Sequence, residues 1–204
     1  MDAVLLQRLS QITVEERELL QGRGVDRALY ASGRAFEVDA AKMLEKGKLM
    51  SIRPHTRFAP FPRHSHNYVE IMYMCRGKTV HRIDGDALVT LEAGELLFLN
   101  RHASHAIQRA DAGDIAVNFI VLPQFFDEAF NMAGMDNVLS RFLLGELYTG
   151  GAAVSYLHFR VREVLPVQNL VENMVWTLVN RQPGARRINQ VTMGLLLLQL
   201  MHYT

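Results

Sequence analysis

The chain has 204 residues, of which 49% are apolar and 21% are charged, and its formal net charge is +1. This length and composition suit a soluble globular domain with one substantial core. The near-neutral charge gives no electrostatic reason to expect nucleic-acid binding by this chain. The single cysteine, Cys75, excludes an intramolecular disulfide and favours a cytoplasmic location. No leader peptide is apparent, and the most apolar stretch, residues 191–201, is too short to cross a membrane.

The first part of the chain, residues 1–45, is predicted to be a helical arm. Leu5, Leu9 and Ile12 follow helical spacing, and Thr13 with Glu16 forms a capping-box pattern that begins a second helix ending near residue 20. A further helical turn is predicted at residues 39–44.

The middle part, residues 46–123, is predicted to be β-structure. Strands are expected at residues 48–52, 68–75, 79–83, 87–91, 96–99, 104–108 and 115–122. Glycine and aspartate mark several of the turns, such as Asp84-Gly85. Many short strands at regular spacing favour a sandwich or a small barrel.

The last part, residues 124–204, is predicted to be helical, with its clearest helices at residues 166–180 and 188–202. The first carries an apolar stripe at i, i+3 and i+4 spacing, and the second is apolar over a wide face. Such a face requires cover from the domain core or from a second copy of the chain. Trp176 lies off the main stripe, so it is either a dimer-interface residue or, as is more common for a tryptophan, partly buried within one chain.

The most informative pattern is His-x-His-x3-Glu-x6-Gly, formed by His64, His66, Glu70 and Gly77. On one extended strand the side chains of His64, His66 and Glu70 would share a face, because side chains alternate between faces. Imidazole and carboxylate are ligands for zinc, manganese, iron and nickel. His105, after a later strand, is a fourth candidate. We therefore predict that His64, His66, Glu70 and His105 bind a divalent metal. The alternative is that these residues only mark the fold and bind no metal.

This pattern resembles the first motif of the cupin superfamily, and residues 94–105 resemble its second motif, with His105 at the fourth ligand position. The second motif departs from the family pattern at four positions: Glu95, Asn100, His102 and Arg109. The resemblance implies a double-stranded β-helix, or jelly-roll, barrel. The fold class expected is thus α+β, mainly β: a cupin-like barrel with N-terminal helices and a C-terminal helical dimerisation segment.

From about residue 45 onward, the order of elements and the segments FPRHSHNYVEIMY, HASHAI and DIAVNFIVLP resemble the effector-binding and dimerisation half of AraC-type transcription regulators. The resemblance implies a small-molecule effector, such as a sugar, and a homodimer through the C-terminal helices. It also implies DNA binding only through a C-terminal helix-turn-helix domain that this chain does not contain. No membrane partner is expected.

Four further residues are predicted to contact the effector or support the metal group. Tyr68 and Met72 share the inward parity of the motif strand, Arg57 precedes it and is suited to an anionic effector, and His81 is a candidate partner or rival of the metal ligands. For each, an ordinary structural role is the competing interpretation. No catalytic residue is predicted, and the alternative function is a metal-dependent cupin enzyme: a dioxygenase, isomerase or epimerase.

Overall fold

A computed structural model describes residues 1–33 and 35–203 of the chain. The N-terminal arm contains helices α1 (Ala3–Leu9) and α2 (Val14–Leu20), a short strand β1 (Glu37–Val38) and a helical turn α3 (Ala40–Met43). The predicted capping box is confirmed, because the Thr13 side chain accepts from the Glu16 N–H and the Glu16 side chain accepts from the Thr13 N–H.

The barrel consists of two five-stranded sheets. Its strands are β2 (Met50–Pro54), β3 (Phe61–His66), β4 (Val69–Arg76), β5 (Lys78–Ile83), β6 (Ala87–Glu92), β7 (Leu96–Leu99), β8 (Ser104–Ile107) and β9 (Ile115–Val121). The C-terminal part contains α4 (Asp127–Ala133), α5 (Val138–Leu144), β10 (Tyr148–Thr149), β11 (Ala152–Ala153), β12 (Tyr156–Phe159), α6 (Leu165–Val179) and α7 (Ala185–Leu200).

The two sheets have the strand orders β1-β3-β8-β5-β6 and β12-β7-β4-β9-β2. Strands that are adjacent in sequence often lie in different sheets, as in a jelly roll. Two contributions come from outside the predicted barrel segment: β1 of the arm pairs with β3, and β12 pairs with β7. The sequence analysis placed no strand after residue 122. That expectation was wrong because β12 is a four-residue strand among helices, and only its pairing with β7 defines it.

The prediction that one continuous strand carries the metal motif was also wrong. The chain bends at Asn67 and Tyr68, so His64 and His66 lie on β3 of one sheet and Glu70 lies on β4 of the other. Along β4, alternate side chains lie on opposite faces of the strand, as predicted. Glu70, Met72 and Met74 are fully or nearly fully buried, and the two methionines pack in the barrel interior. Ile71 and Tyr73 instead pack in the cluster that includes α6 and α7.

Gly77 ends the motif with a backbone φ of +80°, a region that glycine adopts without strain. A side chain here would also collide with its neighbour, because an added Cβ would lie 2.3 Å from Asp114 Oδ1. The same aspartate oxygen accepts from the Lys78 N–H at 3.0 Å. The glycine of the motif is therefore required by the tight turn between β4 and β5.

Candidate metal and effector site

The four predicted metal ligands meet inside the barrel. Each offers one ligating atom, and these atoms all lie within 4.8 Å of one another. The strand pairing explains the convergence: His64 lies opposite His105 across β3 and β8, while β4 brings Glu70 from the facing sheet. Two ligands about 2.1 Å from one ion are about 3.4 Å apart at a tetrahedral angle and about 4.2 Å apart when opposite. The limit of 4.8 Å exceeds the larger spacing by about 0.6 Å, so the four side chains would have to close slightly to bind a single divalent ion.

Burial sets the protonation of this group. It lowers the pKa of His64 to about 4 and of His66 to about 3, and it lowers the pKa of His105 well below its ordinary value. Burial raises the pKa of Glu70 to about 7, although a hydrogen bond from Asn118 opposes this. Glu70 Oε2 lies 3.6 Å from His66 Nε2 and 3.4 Å from His105 Nε2. These contacts are not ion pairs, because imidazoles with such low pKa values are neutral near pH 7.

The hydrogen bonds on the Nδ1 side of His105 set which of its nitrogens can ligate a metal. Its Nδ1 faces His81 Nδ1 at 3.5 Å, and His81 Nε2 lies 2.9 Å from the Thr79 hydroxyl. The Thr79 hydroxyl in turn donates to Met74 Sδ at 3.8 Å. One set of proton positions satisfies these contacts: His105 Nδ1–H donates to His81, and His81 Nε2–H donates to Thr79. His105 Nε2 is then unprotonated and accepts from His66 Nε2–H at 3.2 Å, a hydrogen bond that a bound metal would replace.

Hydrogen bonds also orient two other members of the group, His64 and Glu70. His64 Nδ1 donates to the Pro62 carbonyl at 2.9 Å, and the Asn118 amide donates to Glu70 Oε1 at 3.0 Å. His66 Nδ1 and Glu70 Oε2 have no hydrogen-bond partner although both are buried. An unpartnered buried carboxylate oxygen costs free energy unless a cation or a donor reaches it. The chemistry of the group therefore fits a metal, which would supply positive charge and a coordination position for an effector oxygen.

A small cavity of about 40 Å³ lies beside the group. We call it the chamber. Fourteen residues line it, and they come from the arm and from strands of both sheets: Tyr30, Val38, Met43, Arg53, Pro54, His55, Thr56, Phe61, His64, Tyr68, Glu70, Ile107, Asn118 and Ile120. The arm therefore covers the chamber directly. A larger groove of about 750 Å³ outside it shares Met43, Arg53, Pro54, His55 and Thr56 with the chamber.

The four predicted effector contacts have different outcomes. Tyr68 lines the chamber, whereas Met72 is buried in the barrel interior away from it. His81 also lies outside the chamber but is the hydrogen-bonding partner of His105, as one interpretation proposed. His102, one of the departures from the second motif, is exposed and is not part of this network.

Arg57 is neither a solvated loop residue nor a lining residue of the chamber. It is 3% exposed and forms a bidentate ion pair with Glu16 of the arm, with N···O distances of 2.7 and 2.9 Å. Burial alone would raise the pKa of Glu16, but hydrogen bonds from Arg57 and Thr13 outweigh it, so the pKa is lowered. The sequence analysis did not predict that Glu16 pairs with Arg57 or that Asn118 donates to Glu70. Asn118 sits at an inward position of β9, a position that only the strand pairing identifies.

Comparison with known proteins identifies the class of this barrel. Residues 51–130 match the model of the AraC-like ligand binding domain. Residues 51–130 therefore have the character of an AraC-like ligand-binding domain, the barrel has a cupin-like fold, and the resemblance drawn from the sequence is confirmed. No curated protein sequence matches the chain.

Among solved structures, the similarity to ToxT supports the fold. Apo ToxT K231A from Vibrio cholerae strain SCE256 is similar with a TM-score of 0.54 and 12% identity, over 74% of this chain and 55% of that one. This chain thus spans about half the length of that protein. A cupin protein from Bacteroides fragilis is 28% identical over 36% of this chain and 64% of its own, with a TM-score of 0.30. The AraC-like transcriptional activator CuxR has a TM-score of 0.37 and 13% identity, over 62% of this chain and 41% of its own.

Proposed function

We propose that this chain is the effector-sensing and dimerising part of an AraC-type transcription regulator that works in the cytoplasm. The observation that carries the proposal is the AraC-like domain at residues 51–130, with a buried His-His-Glu-His group beside a chamber. A divalent ion held by His64, His66, Glu70 and His105 would anchor a small metabolite. DNA would be bound by a C-terminal domain that lies outside this chain.

The arm supplies a route from effector binding to the rest of the molecule. The chamber holds only about 40 Å³, whereas small-molecule sites are usually several hundred Å³, so an effector must shift part of the cover. The cover belongs to the arm, and α1 of the same arm contacts α6, where Arg8 Nη1 donates to Asn180 Oδ1 at 2.6 Å. An effector that binds one arrangement of the arm better than another shifts the population between them.

The effector-sensing claim is tested by thermal unfolding of the full chain with candidate ligands. We expect zinc, manganese, iron or nickel to raise the melting temperature, and a subset of small metabolites to raise it further. The variant with His64→Ala and His66→Ala loses both effects, whereas His102→Ala retains them because His102 is exposed outside the site. Absence of any ligand-dependent shift in the wild type contradicts the proposal, and turnover of a bound metabolite would favour the enzyme alternative.

The dimer claim rests on apolar side chains that α6 and α7 leave exposed. Trp176 is 48% exposed and Leu195 is 43% exposed. A second copy of the chain would cover them. Sedimentation at tens of micromolar is expected to give a dimer that Trp176→Asp or Leu195→Asp weakens. Leu88→Asp is the matched control, because Leu88 is 60% exposed on β6 of the barrel. A wild-type monomer at these concentrations contradicts the dimer claim.

A further inference from the structure

The chamber contains a hydrogen-bond acceptor that nothing in the protein satisfies. Asn118 Oδ1 is buried and has no partner, and Asn118 lines the chamber. With Glu70 ionised, the amide orientation is set, because Asn118 Nδ2 donates to Glu70 Oε1 at 3.0 Å and an oxygen in its place would face the carboxylate. The free atom is therefore an acceptor, and leaving it unpaired costs free energy.

The unpartnered atoms of the chamber are few. Of its side-chain atoms that are shut off from solvent, only Glu70 Oε2 and Asn118 Oδ1 lack a hydrogen bond. Glu70 belongs to the metal group, so Asn118 Oδ1 is the acceptor left for an organic ligand. Tyr30 does not compete for it, since its hydroxyl is bonded to Glu15 and Thr56.

The size and the wall of the chamber restrict what can reach Asn118. A volume of about 40 Å³ holds roughly three waters, since one water needs on the order of 10–15 Å³. A whole sugar ring does not fit, and a group of three or four heavy atoms does. The aromatic rings of Tyr30, Phe61 and Tyr68 and the aliphatic Val38, Ile107 and Ile120 form much of the wall. Arg53, His55 and Thr56 also line the chamber, so it suits a short carbon segment that carries a polar group.

We propose that the effector is a small alcohol whose hydroxyl end, with the carbons next to it, enters the chamber and donates its hydrogen to Asn118 Oδ1. This proposal rests on the proposed function and names the chemistry of its effector. Any remaining part of the molecule extends into the larger groove outside, which shares five residues with the chamber and is also lined by charged residues of the arm such as Glu15, Asp26 and Lys42. Asn118 therefore determines specificity: it selects a donor and disfavours an acceptor such as a carboxylate at the same place.

The test measures the binding of four probes to the full chain by isothermal titration. Benzyl alcohol, toluene and benzoate are similar in size, and D-glucose represents the sugars. Wild-type protein is expected to bind benzyl alcohol about three- to tenfold more tightly than toluene, which is the effect of one net hydrogen bond. Benzoate and D-glucose are expected to bind more weakly than benzyl alcohol. In Asn118→Leu the preference for benzyl alcohol over toluene disappears.

Two further variants keep the test decisive. Asn118→Ala makes the residue smaller and leaves no polar side-chain atom, so it removes the carbonyl without overpacking if the leucine variant fails to fold. Asn189→Leu is the matched control, because Asn189 is another buried asparagine with an unpartnered atom, located on α7, and it keeps the preference. A preference that survives in Asn118→Leu or Asn118→Ala overturns the proposal.

The outcome also separates this proposal from the proposed function. Tightest binding of D-glucose or benzoate overturns the alcohol assignment and leaves the sensing function standing. If no probe binds and no metal or metabolite stabilises the protein, both proposals fail.

Discussion

At the scale of single residues, His81 is the support on which the metal group depends most clearly. Its imidazole is fully buried between His105 and Thr79, and its contacts leave His105 Nε2 unprotonated. Partners of this kind typically change metal affinity by 10- to 100-fold. His81→Phe is expected to weaken zinc binding by about that factor, measured by competition with a chelator. His102→Phe, an exposed control, leaves the affinity unchanged, and equal affinity in both variants would contradict the assigned role of His81.

The Glu16–Arg57 pair is the second residue-scale feature with a measurable consequence. Removing one partner of a buried ion pair leaves an uncompensated charge and costs about 3–5 kcal/mol. Arg57→Met is therefore expected to lower the free energy of unfolding by about that amount, as measured by urea denaturation. Arg23→Met, which breaks the exposed pair with Glu18, should cost less than about 1 kcal/mol. Similar losses in the two variants would show that the buried pair does not hold the arm.

At the scale of elements, the turn between β4 and β5 tests why the motif ends in glycine. Gly77→Ala meets both an unfavourable backbone angle and an added Cβ 2.3 Å from Asp114 Oδ1. Gly85→Ala has a φ of +94° but nothing within 4 Å of the added Cβ. We expect Gly77→Ala to destabilise the protein by about 1–3 kcal/mol more than Gly85→Ala in thermal unfolding. Equal losses would remove the contact with Asp114 from the explanation.

The departures from the cupin pattern acquire a structural reason at this scale. Asn100, at the usual proline, donates to the carbonyls of Phe142 and Val154 at 3.1 and 2.8 Å. Glu95, at the usual aspartate, accepts from His158 and Arg162, each at 2.9 Å. Both residues thus join the second motif to the C-terminal segment. These two departures from the cupin pattern therefore attach the C-terminal helices and β12 to the barrel.

The elements with strong local signals could be predicted from the sequence. The capping box at Thr13, the Asp84-Gly85 hairpin and the apolar stripe of α6 are short-range patterns, and the structure confirms them. The ligand group was predicted by residue spacing, but the wrong geometry was assumed, because a bend at Asn67 separates β3 from β4. His81 was predicted as a candidate partner of the group, but the hydrogen bond from Asn118 to Glu70 and the pairing of Glu16 with Arg57 could not be predicted. Asn118 and Glu16 reach these contacts through long-range packing that spacing along the chain does not encode.

At the scale of the whole molecule, the buried histidines make stability depend on pH. In the metal-free protein, burial lowers the pKa of His55 and His64 to about 4 and of His66 and His81 to about 3. Their contribution is fully present above the unfolded pKa of about 6.5 and is lost as pH falls towards the folded values. Glu70 acts oppositely, because its raised pKa of about 7 makes stability fall as pH rises from about 4.5 to 7.

These four histidines and His105, whose pKa burial also lowers, outweigh one carboxyl between about pH 4.5 and 6.5. With a net four protons, the free energy of unfolding should fall by about 5 kcal/mol for each pH unit at most. Urea denaturation at pH 7.5, 6.0 and 5.0 with a chelator present measures this change. A denaturation midpoint that does not fall between pH 6.0 and 5.0 would show that these histidines are not buried in the neutral form.

Among the described residues, the His-His-Glu-His group is buried in the barrel, and the arm covers the chamber beside it. No helix among the described residues is long and apolar enough to cross a bilayer. The arm contacts both the chamber, through Tyr30 and Met43, and the C-terminal helices, through Arg8. This continuity is what connects an effector in the barrel to the helices proposed to form the dimer.

The metal content of the purified chain tests the account most directly. The account predicts one divalent ion per chain by elemental analysis after dialysis against zinc, manganese, iron or nickel. It also predicts that the variant with His64→Ala and His66→Ala holds none while remaining folded by circular dichroism. Equal metal content in the wild type and this variant, or no stoichiometric metal in either, would contradict a metal site at His64, His66, Glu70 and His105.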